Sequence, residues 1–297
     1  MARWRLNGVT FEFPPTRAAG IVNVTSDSFF SGARSQTPDR AVADGLRLVE
    51  AGFDLLDIGA LAARSGAAVA AEDELALLVP AIERLAAEAR VPVLADTFTP
   101  AVARGALDAG AAAINDIGGG SDEMLVLVAE RGCGYVLMHI EGPPRVDRAP
   151  AGLGDPVEHL TAWFVRRIER AVELGVAAEQ IAIDPGLDFD LTTDDDLEIL
   201  RRLPELRALG HPLFLALSRK DFLGAVLAGS WERRLDPEER EAATLAAVAL
   251  AVAQGAEILR LHDVSALDAV RTAAAITCEA EAEGRSRAAP PLRRLIS

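Results

Sequence analysis

Residues 181–186 read IAIDPG, and this short stretch carries the pattern that indicates the fold. An apolar run long enough for one buried strand ends at Asp184, a residue able to bind a ligand, and a Pro-Gly turn signal follows. On either side of it along the chain, seven more apolar runs end at or near polar residues. They are AAGIVNVT (18–25), DLLDIG (54–59), PVLADT (92–97), AAINDIG (112–118), YVLMH (135–139), PLFLALSRK (212–220) and EILRLH (257–262).

The segments between these runs are predicted to be amphipathic helices. Thr37 and Asp155 each precede a proline, which is typical of a helix N-cap. Glycine, which readily adopts the left-handed conformation that ends a helix, follows six of the predicted helices. These glycines are Gly52, Gly110, Gly132, Gly175, Gly210 and Gly255. Strands that alternate with helices build a parallel sheet, which is either open and doubly wound or closed into a barrel.

About eight strand–helix units favour the closed form, a (β/α)8 TIM barrel of the α/β class. An open dinucleotide-binding sheet would need G-x-G-x-x-G after its first strand, whereas this chain continues as NVTSDSF from Asn23. Ahead of the barrel, WRLNGVTFEF alternates around Asn7-Gly8, which predicts a β-hairpin that plugs the bottom of the barrel. We expect one domain over residues 1–284 and a poorly ordered tail over 285–297.

Composition and charge argue against several classes of protein. The formal net charge of −15 at pH 7 is unsuited to binding nucleic acid phosphates. The longest apolar stretch, Ala242–Ala253, is shorter than the ~20 residues that span a bilayer, so it predicts a buried helix. The N-terminal residues lack an apolar signal region, and the two cysteines, Cys133 and Cys278, lie far apart. We expect a cytoplasmic protein with reduced thiols and without nucleic acid or membrane partners.

The polar residues at the strand ends are predicted to form one ring, because the carboxyl ends of all strands in a TIM barrel share a face. Asp96, Asn115 and Asp184 offer carboxylate and amide groups. These groups suit a flat heterocycle with alternating donors and acceptors, such as the edge of a pterin. Any one of the three alone would be interpreted as a helix cap. Three of them on one rim favour a binding site.

Positively charged residues follow the seventh predicted strand and lie on the eighth. Residues 218–220 (SRK) and 260–262 (RLH) lie where this fold commonly binds anions. They would supply the local positive field that the acidic chain otherwise lacks. The alternative for Arg219 is an ion pair with Asp221 or Asp263.

Three other polar positions have less specific interpretations. His139 at the end of the fifth strand either reacts or braces the loop that follows, and the two are equally compatible with the sequence. Asp57 is expected to hydrogen-bond a neighbour across the rim. The run Asp194–Asp196 is predicted to cap a helix through the helix dipole rather than to bind a metal.

The order and spacing of these segments resemble the dihydropteroate synthase family, whose members are TIM barrels that bind pterins. The resemblance runs from Ile21 to Val264. It rests on NVTSDSF (23–29), DIG (57–59), DT (96–97), INDI (114–117), LMH (137–139), DPG (184–186) with Phe189, LSRK (217–220) and RLHDV (260–264). The family joins 4-aminobenzoate to 6-hydroxymethyl-7,8-dihydropterin diphosphate and releases diphosphate. The resemblance therefore implies a transferase of folate biosynthesis, with these two small molecules as substrates.

Matched residue by residue, the resemblance also implies roles for individual side chains. It assigns the pterin to Asp96, Asn115, Asp184 and Lys220, with Ile117 and Met138 lining the ring. It assigns the diphosphate to Arg64, Arg260 and His262, and the 4-aminobenzoate to Phe189, Ser218 and Lys220. It assigns Asn23 to a Mg²⁺ ion that accompanies the diphosphate. The candidate catalytic residues among them are Asp96, Lys220, Arg260 and His262, and the implied assembly is a homodimer built from the last helices.

The chain departs from the family pattern in three loops. Ser31 replaces an aspartate in the first loop, and Ala63 and Ser65 replace threonine and proline in the second. After the sixth strand, residues 188–191 read DFDL where the family usually has Gly-Phe-Gly-Lys. Two alternatives therefore stay open. One is a paralogue that binds pterin without turnover, and the other is a pterin-dependent methyltransferase domain, which would not need the Asn23 loop or the anion site.

Overall fold

Eight parallel strands form the centre of the computed structural model, which describes residues 2–24, 37–61, 66, 69–146, 150 and 152–277. In chain order, after the two hairpin strands β1 and β2 described below, they are β3 (Arg17–Asn23), β4 (Leu55–Gly59), β5 (Val93–Asp96), β6 (Ala113–Asp116), β7 (Gly134–Met138), β8 (Ile181–Asp184), β9 (Phe214–Ala216) and β10 (Ile258–Leu261). From β3 to β8 each strand pairs with the next, and β10 lies between β3 and β9. A parallel bridge between Ile183 and Leu213 joins β8 to β9 and closes the ring. The predicted TIM barrel is confirmed.

Helices cover the outside of the barrel in every connection. They are α1 (Pro38–Ala51), α2 (Ala71–Glu88), α3 (Pro100–Asp108), α4 (Asp122–Arg131), α5 (Pro156–Glu173), α6 (Thr193–Arg201), α7 (Leu203–Arg207), α8 (Asp221–Ala228), α9 (Glu241–Ala253) and α10 (Val264–Thr277). The described residues therefore hold ten α-helices rather than about eight. The excess arises because the connections from β8 to β9 and from β9 to β10 contain two helices each.

The predicted helix boundaries rest on caps that the structure contains. The Thr37 hydroxyl accepts a hydrogen bond from the Arg40 amide at the start of α1, and the Asp155 carboxylate accepts two at the start of α5. Gly52 ends α1 with φ of +99°, a conformation that side chains with a Cβ rarely adopt. None of the described helices combines the length and the apolarity that a membrane crossing requires.

The N-terminal hairpin closes the end of the barrel at which the strands begin. Strands β1 (Arg3–Arg5) and β2 (Thr10–Glu12) pair antiparallel across the turn at Asn7-Gly8. Trp4, Leu6 and Phe13 are buried against the first residues of several barrel strands, including Leu55 and Phe214. The Trp4 indole donates a hydrogen bond of 2.9 Å to the carbonyl of Gln180, just before β8. The hairpin therefore plugs this end of the barrel, as the sequence predicted, and the carboxyl ends of the strands lie at the opposite end.

The barrel strands are buried on both faces, which explains why they read as continuous apolar runs. Side chains such as Leu56, Ile58 and Ile183 pack outward against the helices in one large cluster. The predicted tail, residues 285–297, lies outside the described residues.

Candidate active site

Four polar side chains from four strands meet at the carboxyl end of the barrel. The strand register places Asp96 of β5 opposite Asn115 of β6. The Asn115 amide donates a hydrogen bond of 3.0 Å to Oδ2 of Asp57, on β4. The guanidinium of Arg260, on β10, donates from Nε to the same Asp57 oxygen and from Nη2 to Oδ2 of Asp96, the latter at 2.7 Å. Asp57 is fully buried. As predicted, it hydrogen-bonds its neighbours across the rim.

Asp184 and Lys220 extend this group on the side of β8. Asp184 ends β8, lies opposite Met138 in the register, and accepts a hydrogen bond of 2.8 Å from the Gly186 amide. Lys220 precedes α8, and its Nζ donates a 2.8 Å hydrogen bond to the Leu187 carbonyl. Its ammonium also lies 4.6 Å from the centre of the Phe189 ring. Lys220 therefore reaches back over the loop that follows β8.

A small apolar cluster lies beside the polar group. Ile117, Met138 and Ile140 are buried together, with Phe98 and Phe189 packed against them. Met138 is the last residue of β7, and the other four follow β5, β6, β7 and β8, so the cluster lies at the mouth of the barrel rather than in its main core. Apolar side chains beside a few convergent polar groups are the ordinary lining of a small-molecule site. The predicted ring-lining residues Ile117 and Met138 both belong to this apolar cluster.

Burial shifts the ionisation of the carboxylates at the mouth. Burial raises the pKa of Asp96 to about 7, with Arg260 opposing the rise and nearby carboxylates adding to it. Burial raises the pKa of Asp184 to about 6, although the Gly186 amide and Lys220 oppose the rise. Burial therefore destabilises the charged form of both carboxylates. A ligand N–H group that donates a hydrogen bond to the carboxylate would offset that destabilisation. Asp57 Oδ1 and Asn115 Oδ1 are also buried with no hydrogen-bond partner among the described residues.

The residues of the two predicted anion-binding segments, 218–220 and 260–262, differ in their partners and in their charge. His262 Nδ1 lies 2.9 Å from the Ser218 hydroxyl, and burial together with Arg260 and Arg219 lowers the His262 pKa to about 3, so its ring is neutral. Arg219 instead forms an ion pair of 2.8 Å with Asp263. The alternative interpretation of Arg219 as an ion-pair partner is therefore correct. Burial also lowers the pKa of Lys220, with neighbouring aspartates opposing that effect.

The remaining predicted site residues are only partly described. Asn23 is the last residue of β3, is half-buried and lies opposite Gly59 of β4. Mg²⁺ prefers hard oxygen ligands, and the amide oxygen of Asn23 is one. In proteins the ion commonly binds one or two side chains and completes its coordination shell with phosphate oxygens and water. Arg64 and the altered loop residues Ser31, Ala63 and Ser65 lie outside the described residues.

Comparison with known proteins identifies the family to which this barrel is similar. A sequence profile of the family described as pterin binding enzyme matches residues 19–262. The dihydropteroate synthase of Mycobacterium leprae (strain TN) is 40% identical over 267 residues, which cover 88% of this chain and 93% of the relative. A dihydropteroate synthase of Xanthomonas albilineans, solved with 4-aminobenzoic acid, has a TM-score of 0.83 and 40% identity, covering 94% of this chain and 99% of that structure.

This chain belongs to the dihydropteroate synthase family. The membership confirms the resemblance seen in the sequence, and it makes the chain an enzyme of the transferase class. A second relative, from Synechocystis, is 37% identical over 255 residues, which cover 85% of this chain and 86% of the relative. The match extends over both halves of the barrel, so it includes every strand that contributes to the site.

One departure from the dihydropteroate synthase pattern has a structural explanation. Asp188 and Asp190 stand where the family usually has glycine, and both keep a left-handed backbone, with φ of +69° and +61°. Aspartate tolerates this conformation better than most residues. The Asp188 carboxylate also accepts hydrogen bonds from the amides of Asp221 and Phe222, the latter at 2.9 Å. Asp188 therefore caps α8, the helix that follows Lys220, and sequence reasoning missed this role because it treated the position only as a loss.

His139 and the acidic run Asp194–Asp196, which had less specific interpretations in the sequence, contact nearby residues in the structure. His139 Nε2 lies 2.7 Å from Glu141 Oε1 in the loop that follows β7, a contact that fits the bracing role, which was one of the two interpretations left open for His139. Asp195 and Thr192 cap each other's backbone at the start of α6, and Asp196 accepts a 3.1 Å hydrogen bond from the Asp188 amide. The prediction that the acidic run Asp194–Asp196 lies in a helix start is confirmed.

Proposed function

We propose that this protein joins 4-aminobenzoate to 6-hydroxymethyl-7,8-dihydropterin diphosphate and releases diphosphate. The observation that supports this most is the position of Asp96, Asn115, Asp184 and Lys220 at the carboxyl end of the barrel, beside the cluster of apolar side chains: Asp96 lies opposite Asn115, Asp184 lies opposite Met138, and Lys220 is close enough to Asp184 to influence its charge. The relatives support it as well. Structures of the Xanthomonas albilineans enzyme have been solved with 4-aminobenzoic acid and with 7,8-dihydropteroate.

The pterin is placed with its polar edge toward the carboxylates and its rings against the apolar cluster. Asp184 and Asn115 would hydrogen-bond the amino and ring N–H groups, because a carboxylate can accept two parallel hydrogen bonds and an amide can both donate and accept. Ile117 and Met138 would cover the ring face. The protonation of Asp184 matters here, because only the ionised carboxylate accepts two N–H bonds at once.

The diphosphate is placed at the opposite side of the mouth, near β10 and β3. Arg260 and His262 would hold it together with Arg64. Arg260 is shared between Asp57, through Nε, and Asp96, through Nη2, so its remaining N–H groups would be the ones to bind a phosphate oxygen. Asn23 would contribute an amide oxygen to the accompanying Mg²⁺, and the ion, when bound, would offset negative charge on the diphosphate.

The reaction needs charge stabilisation rather than a protein nucleophile. As the bond between the methylene carbon and the diphosphate oxygen breaks, positive charge develops on the pterin and its methylene group. Asp96 would stabilise that charge, while Arg260 would stabilise the charge on the departing diphosphate. The neutral amine of 4-aminobenzoate, flanked by Phe189, Ser218 and Lys220, then attacks the carbon, forms the carbon–nitrogen bond and loses a proton.

The decisive assay measures diphosphate release with and without 4-aminobenzoate. We expect release to require 4-aminobenzoate and to equal the dihydropteroate formed. Release that does not depend on 4-aminobenzoate would contradict the proposal. Pterin binding without product would instead favour the non-catalytic paralogue, above all if restoring the family residues at Ser31, Ala63 and Ser65 produces turnover.

We also propose that the enzyme is a homodimer and acts in the cytoplasm. Helix α9 is apolar on nearly all sides, and its outer face exposes Ala242, Ala246, Leu250 and Ala253. Such a helix is normally covered, and a second copy of the same chain is the partner that the family resemblance implies. Light scattering should give a dimer mass for the wild type and a monomer mass for Leu250→Glu.

The proposed location in the cytoplasm, a reducing compartment, fits the free, buried thiol of Cys133.

A further inference from the structure

Three potential metal ligands converge on the outer side of the mouth, apart from the proposed substrate site. His139 directly follows β7, Glu141 lies two residues further along, and His159 lies in the first turn of α5. Glu141 Oε1 is 2.7 Å from Nε2 of His139 and 2.6 Å from Nε2 of His159. The three ligand atoms all lie within 4.8 Å of one another. The proposed reaction uses none of these side chains.

The donor set suits a borderline-soft divalent cation rather than magnesium. Zinc is bound by histidine nitrogen at about 2.0–2.1 Å and by carboxylate oxygen at about 2.0–2.2 Å, with tetrahedral geometry. That geometry separates neighbouring ligand atoms by about 3.3 Å, so the Glu141 oxygen and each imidazole nitrogen would have to move apart by about 0.6–0.7 Å, which small side-chain rotations can supply. Two imidazoles and one carboxylate also leave a fourth position for water.

The hydrogen atoms of the cluster are easier to place with a cation present. One carboxylate oxygen can accept from both imidazoles only if each ring carries its hydrogen on Nε2. His139 is fully buried, and its Nδ1 has no hydrogen bond of normal geometry to any described residue, although the backbone of Pro185 lies close enough to the ring to accept a hydrogen from it. The Nε2–H form therefore leaves a buried acceptor without a donor, which is unfavourable. With a cation at Nε2, the hydrogen moves to Nδ1, the arrangement usual for metal-bound histidine.

The cluster is held in place and is accessible from outside. The His139 ring packs edge-on against Trp163, with centroids 5.1 Å apart, and against His159 at 5.6 Å. Glu141 and His159 remain about one-third exposed. Glu141 and Trp163 also line a cavity of about 380 Å³ whose other walls include Ser121 and Arg167. A hydrated ion can therefore reach ligands that are already oriented.

We propose that His139, Glu141 and His159 bind one divalent cation of the zinc class, with water at the remaining position. Bound there, the ion ties the loop after β7 to α5. Met138, which belongs to the apolar cluster at the mouth, immediately precedes His139 in the chain, so the ion would also restrain the edge of the proposed pterin site.

The test measures zinc binding directly, by competition with a chromogenic chelator, on full-length protein first stripped with EDTA. We expect one Zn²⁺ per chain in the wild type, and a loss of affinity of at least about 10-fold in both Glu141→Gln and His159→Ala. Glu141→Gln is nearly isosteric, so it separates loss of a ligand from misfolding. The matched control is His211→Asn, because His211 lies near the start of β8 and bonds the Ile181 carbonyl there.

Two further readouts make the result independent of catalysis. Zn²⁺ should raise the melting temperature of the wild type and of His211→Asn, and leave Glu141→Gln and His159→Ala unchanged. Co²⁺ should give visible absorption bands of a tetrahedral site only in the proteins that keep all three ligands. Equal zinc affinity in all four proteins, or no zinc bound at micromolar concentration, would overturn the proposal, whatever the dihydropteroate synthase assay gives.

Discussion

Asp57 is the residue on which the geometry of the mouth depends. It is fully buried, and one of its oxygens accepts from both the Asn115 amide and the Arg260 guanidinium. Its hydrogen bonds go to two residues proposed to bind the substrates, Asn115 and Arg260, so we regard it as a positioning residue. In the sequence it follows an apolar run, as Asp96 and Asp184 do, although it lies in the middle of β4 whereas they end their strands. The contacts distinguish the three.

Substituting Asp57 should therefore reduce catalysis through its neighbours. Asp57→Asn keeps the shape but loses the charge opposite Arg260, and removing one partner of a buried ion pair commonly costs about 3–5 kcal/mol. Part of that cost should reach the transition state, so we expect kcat/KM to fall about 100-fold. Steady-state kinetics check this. Asp54→Asn, which alters a half-exposed ion pair with Arg17, is the control and should stay within about 2-fold.

The raised pKa of Asp184 predicts a specific pH dependence of stability. Its folded pKa of about 6 lies above the ordinary value of 3.8, so the folded protein holds this proton more tightly than the unfolded chain does. The stability linked to the proton is complete below about pH 4 and is lost as the pH rises through 6. Above that range the ligand-free protein carries a buried charge that it only partly compensates.

Asp184→Asn, which never carries the charge, should be more stable than the wild type by up to about 3 kcal/mol at about pH 8. The difference should nearly vanish at about pH 4, where both side chains are neutral. Urea unfolding of the ligand-free proteins at the two pH values measures it. The same substitution should weaken pterin binding, and a stability difference independent of pH would contradict this account.

At the scale of elements, the loop after β8 shows how a helix start can stabilise an unusual backbone. Asp188 adopts a left-handed conformation and caps α8 through two amide hydrogen bonds. Its own amide donates to Asp196 in α6, so the loop connects two helices. This anchoring holds Phe189 beside Lys220, which is where the family resemblance places the 4-aminobenzoate.

Two substitutions at Asp188 separate the cap from the backbone strain. Asp188→Ala loses the cap and places a poorly tolerated residue at positive φ, so we expect a loss of about 2–3 kcal/mol. Asp188→Gly, the usual family residue, loses the cap without the strain and should cost about 1 kcal/mol less. Chemical denaturation measures both. Equal losses would mean that the left-handed backbone contributes no strain here.

At the scale of the whole molecule, the hairpin and the mouth lie at opposite ends of one barrel. The hairpin fills the end at which the strands begin with Trp4, Leu6 and Phe13, and the polar groups occupy the other end. Because the barrel is a packed core rather than a pore, loss of the plug should reduce global stability without direct contact with the site.

Trp4→Ala should therefore destabilise the protein by about 3–5 kcal/mol, because it removes a fully buried indole and leaves the Gln180 carbonyl without its donor. Phe11→Ala is the matched control. Phe11 is only partly buried and packs beside the plug, so its loss should cost about 1 kcal/mol. Thermal unfolding at fixed pH compares them, and similar losses would show that the plug is not a significant part of the core.

The amino-acid sequence was sufficient for the strands, the helix caps, the barrel, the hairpin and the family. Each depends on local features: apolar runs that end at Asp96 or Asp184, a proline after Thr37, or the turn at Asn7-Gly8. The sequence did not allow us to predict which of several similar charged or polar residues pair with one another in the folded protein. That Arg260 joins Asp57 to Asp96, that Asp188 caps a helix 33 residues later, and that His159 meets His139 and Glu141 emerged only in three dimensions. The physical reason is that ion pairs and ligand sets depend on distances of a few ångströms between distant parts of the chain, and closure of the barrel sets those distances.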